Sequence, residues 1–171
     1  MDKNLIYESK GYHNIVFKGK DENGITRFAS MRGVFDKNGY VFKCDVKGND
    51  KNYGFNFVND KSDELEVFEG AIDLLSYCDI YDDYKTNKLA LGMIADAPLE
   101  TFLKENQNIR IIRLCLDNDG PGRVASSVLK DKYESRGYKV IDLPPPKAYK
   151  DYNDWIKSLR SKKTITMEKY R

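Results

Sequence analysis

The sequence predicts an α/β fold, a four-stranded parallel sheet flanked by helices, preceded by a small antiparallel β-meander. Three observations lead there. Residues 12–58 carry short alternating apolar runs cut by turn signals. After Lys61 nearly continuous apolar runs alternate with helical stretches, the pattern of strands buried on both faces of a parallel sheet. The rhythm changes once, near residue 60. Hairpins followed by a βαβ series argue for two modules, residues 1–60 and 61–171.

The elements follow in order. YHNIVFKGK, ITRFASMRG, YVFKCDVKG and NYGFNFV read as about four meander strands. Asn23-Gly24 and Asn38-Gly39 supply hairpin turns, because both residues tolerate positive φ. In the second half, LEVF reads as a strand and AIDLLSYCDIY as a helix, followed by strand LALGMI and helix PLETFLKEN. IRIIRLCL is the third parallel strand, GRVASSVLKDKYESRG the third helix, and YKVIDLP the fourth strand. Gly137 ends the third helix and Pro144-Pro145-Pro146 ends the fourth strand.

Composition narrows the function classes. The chain has 171 residues and a net charge of +2, so a nucleic-acid role must rest on local basic patches. Cys44, Cys78 and Cys115 are widely spaced within apolar runs; they read as buried thiols of a reducing cytoplasm, and no zinc ribbon can be built from them. The single His13 cannot form a histidine metal cluster. No apolar stretch approaches the roughly 18 residues of a membrane span, and no signal peptide is seen, so a soluble intracellular protein is expected.

The chemistry concentrates at strand ends. LCLDNDGPGR runs from an apolar strand into Asp117 and Asp119 and then Gly-Pro-Gly. Acids here cap the next helix and suit its dipole. They also offer hard oxygen ligands on a short loop at the carboxyl edge of a sheet, which is what Mg²⁺ takes. LEVF runs likewise into Glu69-Gly70. Every parallel strand delivers its C-terminal residue to the same edge, so Glu69 meets the aspartates if the first and third strands are neighbours. Three carboxylates in one cleft repel unless a cation joins them.

Glu69, Gly70 and Asp73 after the first strand, with Asp117, Asp119 and Gly122 after the third, resemble the toprim domain. That is the catalytic α/β module, Rossmannoid in architecture, of DnaG-type primases, type IA and type II topoisomerases and some nucleases. The resemblance covers residues 62 to about 157. It implies that Glu69 is a metal ligand and general acid or base, and that Asp117 and Asp119 bind Mg²⁺ or Mn²⁺. Primase-like toprim domains carry a further acidic motif after the fourth strand. KDYND stands there, which assigns Asp151 or Asp154 to a second metal; Asn153 or Asp154 would equally cap a helix.

The meander is similar to a domain of unknown function that precedes primase-like toprim domains in proteins of bacterial plasmids and conjugative elements, through NIVFKGKDENG, RFASMRG and FKCDVKGNDKNYGF. Arg27, Arg32, Lys43, Lys47, Lys51 and Tyr53 can line a nucleic-acid path, or form an ordinary solvated face. Arg123, Lys147 and Lys150 are candidate phosphate contacts, as are Lys157, Arg160, Lys162, Lys163, Lys169 and Arg171 of the basic tail.

Competing motifs fail. A dehalogenase-like phosphatase carries its Asp-x-Asp after the first strand, where Glu69 stands here. A phospho-receiver needs an acidic pair there. An EF-hand needs an acid at position 115, which is Cys115, and no P-loop occurs. The resemblance implies Mg-dependent nucleotidyl transfer of the DNA primase type, in replication or mobile-element maintenance. Single-stranded DNA or DNA/RNA, nucleotide triphosphates, and replication or conjugation proteins are the partners it implies. A toprim nuclease and a non-catalytic binding module are the alternatives.

Overall fold

The computed structural model describes residues 4–92 and 95–168. Two sheets are formed. The first is antiparallel, in the order β1 (Ile6–Glu8), β2 (Ile15–Lys20), β3 (Thr26–Lys37), β4 (Tyr40–Asp45). The second has five strands: β5 (Phe55–Phe57), β6 (Glu64–Phe68), β7 (Asn87–Ala90), β8 (Ile111–Leu114) and β9 (Lys139–Asp142), in the order β5-β7-β6-β8-β9. β6 to β9 are mutually parallel and β5 runs antiparallel to β7. Helices α1 (Ala71–Tyr81), α2 (Ala97–Glu105), α3 (Gly120–Glu134) and α4 (Tyr152–Glu168) are the helices of the described residues. The mixed α/β architecture and its four parallel strands are those the sequence predicts.

Two details differ. NYGFNFV is not a meander strand: Phe55–Phe57 crosses to the edge of the second sheet, and the fourth meander strand is Ile6–Glu8 instead. The reason is close backbone packing. A Cβ on Gly54 would stand 2.1 Å from the Ala90 carbonyl, and one on Gly19 would stand 2.0 Å from the Gly54 carbonyl. Two residues without side chains therefore let β2, the Gly54 segment and β7 stack. Asn56 then seals the seam, its amide donating to the Lys20 carbonyl at 2.7 Å. Cys44 is the second correction, since its thiol is exposed while Cys78 and Cys115 are buried. It lies on β4, an edge strand most of whose residues face solvent.

Alternation along β6 sorts the core. Leu65 and Val67 pack with Leu99 and Phe102 of α2 and Leu129 and Tyr133 of α3. Phe68 faces the opposite way, packing with Leu74 and Tyr77 of α1 and Tyr152 of α4. Glu66, also on that face, is buried beside Lys88 of β7, its cross-strand partner. Gly137 adopts φ +89° just past α3, the left-handed geometry that lets the chain leave the helix. Among the described residues, no helix is long and apolar enough to cross a membrane.

Candidate metal centre

β6 and β8 are adjacent and parallel, with Val67 opposite Leu114. Both chains leave the sheet at the same edge, so Glu69 and Asp117 emerge side by side. The strand order reverses here: β7 lies on one side of β6 and β8 on the other, the crevice where open α/β sheets bind ligands.

The Asp117–Asp119 loop is held from three directions. Asp119 caps α3, its Oδ1 accepting the Gly122 amide at 2.9 Å. A Cβ on Gly122 would fall 2.3 Å from the Asp117 carbonyl, so the turn admits only glycine without rearrangement. Arg123 donates to the Leu116 and Asp117 carbonyls, each at 2.9 Å, and grips both oxygens of Asp142 at 2.9 and 3.0 Å. The guanidinium proposed for phosphate is thus engaged in the loop's own scaffold. Asn118, which the sequence reading passed over, ties the loop to the segment before α4: its amide donates to the Lys150 carbonyl at 2.7 Å and its side chain to the Pro145 carbonyl at 2.6 Å. An amide residue between two carboxylates was the only signal for it.

The Glu69 turn is built from α1 and α4. Gly70 occupies the N-cap position of α1, and Asp73 sits in its first turn. The Asp73 carboxylate accepts the Asn153 amide at 3.2 Å, joining the starts of the two helices. Asp151 caps α4 by accepting the Asp154 amide at 2.7 Å, a role the sequence offered to Asn153 or Asp154. Glu69 makes no side-chain hydrogen bond among the described residues and is half-buried.

These carboxylates feel one another. Burial, then Glu69, Asp73 and Asp151, pushes Asp117 up to about 7. Burial and then Asp151 bring Asp73 up to about 6. Burial and then Asp119 raise Glu69. Asp119 goes the other way: the Gly122 amide and the Lys150 ammonium hold it below the usual carboxylate range. Lys150 Nζ stands 3.3 Å from Asp119 Oδ2 and 3.6 Å from Asp117 Oδ2, one cation shared by the pair.

A cleft of about 500 Å³ opens over the site. Glu69, Asp73, Asp117, Lys150 and Asp151 form one wall, and Arg32 of β3 and Lys43 of β4 belong to the other. A larger cavity, about 640 Å³, lies by β5 and is lined by Asp21, Glu22 and Glu105. It receives no parallel-strand terminus and none of the paired aspartates, so size does not make it the site.

The other candidate residues lie elsewhere. Asp154 is exposed, 3.8 Å from Lys157, and does not line the cleft. Lys147 is exposed on the loop before α4. Arg27 is paired with Asp21 at 2.7 Å, Lys51 with Asp45, Tyr53 with Glu105, and Arg160 with Asp79. Lys47 is exposed. Lys169, Arg171 and the side chains of Lys162 and Lys163 lie outside the described residues.

Among the described residues, no group of three or more His, Cys, Asp and Glu side chains is gathered closely enough to hold a metal alone. The donor set still fits Mg²⁺ or Mn²⁺. It is all carboxylate oxygen, two of its members already share a cation, and Mg²⁺ uses one or two carboxylates with waters and substrate phosphate instead of a full protein cage.

Residues 66–156 match the family model described as toprim-like, more than half of the chain. The chain belongs to the toprim-like family. Residues 1–62 match a second model, described as a protein of unknown function (DUF3991). This toprim-like chain is 29% identical over 168 residues to the uncharacterized protein pXO2-78 of Bacillus anthracis, covering 90% of this chain and 48% of that protein. It therefore spans about half the length of that curated relative. Among solved structures, the primase fragment of the bacteriophage T7 primase-helicase protein superposes with a TM-score of 0.60 at 22% identity, covering 95% of this chain and 64% of that one. The DnaG primase catalytic domain bound to ssDNA gives 0.58 at 15% identity, covering 96% and 56%. The fold is that of primase catalytic domains.

Proposed function

We propose that this toprim-like chain carries out Mg-dependent nucleotidyl transfer of the DNA primase type, in DNA replication or mobile-element maintenance. The observation that carries the reading is the pair Asp117 and Asp119 sharing one cation beside Glu69, at the carboxyl edge of adjacent parallel strands. Mg²⁺ or Mn²⁺, held by Asp117 and Asp119 with waters and substrate phosphate completing its shell, would neutralise phosphate oxygens and hold them for in-line displacement. Glu69, without a hydrogen-bond partner among the described residues, accepts the proton of the attacking hydroxyl. Arg123 and Asn118 keep the aspartate loop rigid while substrate binds. Asp151 belongs with a second metal, whereas the exposed position of Asp154 argues for surface pairing.

Residues 1–60, whose strand β5 is lent to the second sheet, supply the gripping module and residues 61–171 the catalytic one. Arg32 and Lys43 reach the cleft from the β module, and Phe35, Tyr40 and Phe42 are exposed on the same hairpin. Basic groups beside aromatic faces suit single-stranded DNA or a DNA/RNA hybrid. The primase neighbour solved with ssDNA supports that substrate class.

The test uses the longest native protein, labelled single-stranded DNA, ribonucleoside triphosphates and Mg²⁺ or Mn²⁺. New oligonucleotides that vanish in Glu69→Gln, a loss of about 10²–10⁴-fold, are expected. Shortened DNA would indicate a nuclease. Salt-sensitive DNA binding with no metal-dependent product would leave a binding module.

A further inference from the structure

The cation between Asp117 and Asp119 is part of the protein. Lys150 Nζ stands 3.3 Å from one carboxylate and 3.6 Å from the other. Its backbone has a fixed place, because the Lys150 carbonyl accepts the Asn118 amide at 2.7 Å. Asn118 also donates to the carbonyls of Pro145 and Tyr149, at 2.6 and 3.1 Å. The loop bearing the lysine is thus laced to the loop bearing the aspartates. The lysine side chain itself is 56% exposed and extends on a flexible stem. A pinned backbone with a free stem lets the ammonium leave the carboxylates without disturbing either loop.

We infer that Lys150 is an exchangeable counter-ion: it occupies the aspartate pair in the metal-free protein, competes with the divalent cation, and withdraws toward the cleft when that cation binds. This rests on the reading of Asp117 and Asp119 as metal ligands. Without Lys150 the pair would face Glu69, Asp73 and Asp151 without the one ammonium that pairs with both aspartates among the described residues. With it, the carboxylate charge is balanced before metal arrives, and the cost is weaker metal binding. Lysine suits exchange because it is a single point charge with rotatable donors. Arginine would fork across both carboxylates and resist displacement.

The experiment measures Mn²⁺ affinity of the nucleic-acid-free full chain at pH 8 and fixed ionic strength, by titration followed by electron paramagnetic resonance. A unit charge about 4 Å from another matters by about fivefold even at the dielectric of water, so Lys150→Met should bind Mn²⁺ at least about fivefold more tightly than wild type. Lys150→Arg should bind no more tightly than wild type. Lys130→Met, which removes a lysine paired with Glu134 on α3, should leave affinity unchanged. Lys150→Gln serves if the methionine variant fails to fold. Unchanged or weaker binding by Lys150→Met and Lys150→Gln, with wild type binding normally, overturns the counter-ion alone. An equal gain in Lys130→Met also overturns it, as a general charge effect. No Mn²⁺ binding by wild type or variants overturns the metal centre as well.

Discussion

Glu66 and Glu69 stand three residues apart on one strand and its exit, and each lies near a lysine, yet their surroundings are opposite. Glu66 is 2% exposed and completely satisfied: Tyr77 Oη donates at 2.7 Å, Thr86 Oγ1 at 2.9 Å, and the equally buried Lys88 pairs with it. Lys88 also reaches Asp83 at 3.0 Å; although burial raises Asp83, the Lys85 amide and Lys88 bring it down to about 2. Glu69 has no hydrogen bond among the described residues, is raised by burial and by Asp119, and faces a cleft. A protein that completes one carboxylate network at its core and leaves another open at the sheet edge separates structure from chemistry. Closed networks hold the fold, and open ones keep capacity for a ligand.

The largest effect should come from breaking the closed network. Lys88→Met leaves the Glu66 charge buried and unpaired, and denaturant unfolding should show a loss of about 3–5 kcal/mol. Adding Glu66→Gln should recover part of it. Glu69→Gln should shift stability by no more than about 0.5 kcal/mol. If the two single variants were equally destabilised, the contrast between the networks would collapse.

The next effect is pH-dependent. Asp117 is held at about 7 in the folded protein, above its unfolded value of 3.8. The native state therefore keeps a proton that the unfolded chain releases, and stability falls as pH rises from about 4 to about 7. Above that window the ionised carboxylate costs a few kcal/mol relative to the unfolded chain. Metal-free Asp117→Asn should thus be more stable than wild type at pH 8, with the advantage gone near pH 4. Thermal melts across pH check this, and saturating Mn²⁺ should erase the wild-type deficit at pH 8. An advantage independent of pH would mean that the residue acts through packing.

The smallest effect concerns the hairpin of the β module. Phe35 and Tyr40 are 78% and 66% exposed. Replacing both by alanine should weaken single-stranded DNA binding by about 1–3 kcal/mol for each base stacked on them. Mn²⁺ affinity should not change, because the hairpin aromatics do not line the cleft. Loss of metal binding along with DNA binding would join what the comparison keeps apart.

By itself the sequence determined the alternation of strand and helix after Lys61, the polarity that sends Glu69 and Asp117 to one edge, and the glycine beside each acid. These depend on local periodicity and on turn chemistry within a few residues, which a linear reading captures. Only the tertiary structure decided the rest, because each remaining feature joins residues distant in the chain. Asn56 meets the Lys20 carbonyl across 36 positions, drawing Phe55–Phe57 out of the meander, and Asp73 meets Asn153 across 80. Glu66 was hidden within an apolar run until Lys88 stood opposite it on β7. Asn118 and Arg123 acquired their roles from the backbones of the Pro145–Lys150 loop and the Leu116–Asp117 turn. Whether a charged side chain is satisfied depends on which atoms fold against it, and spacing along the chain carries no record of those partners.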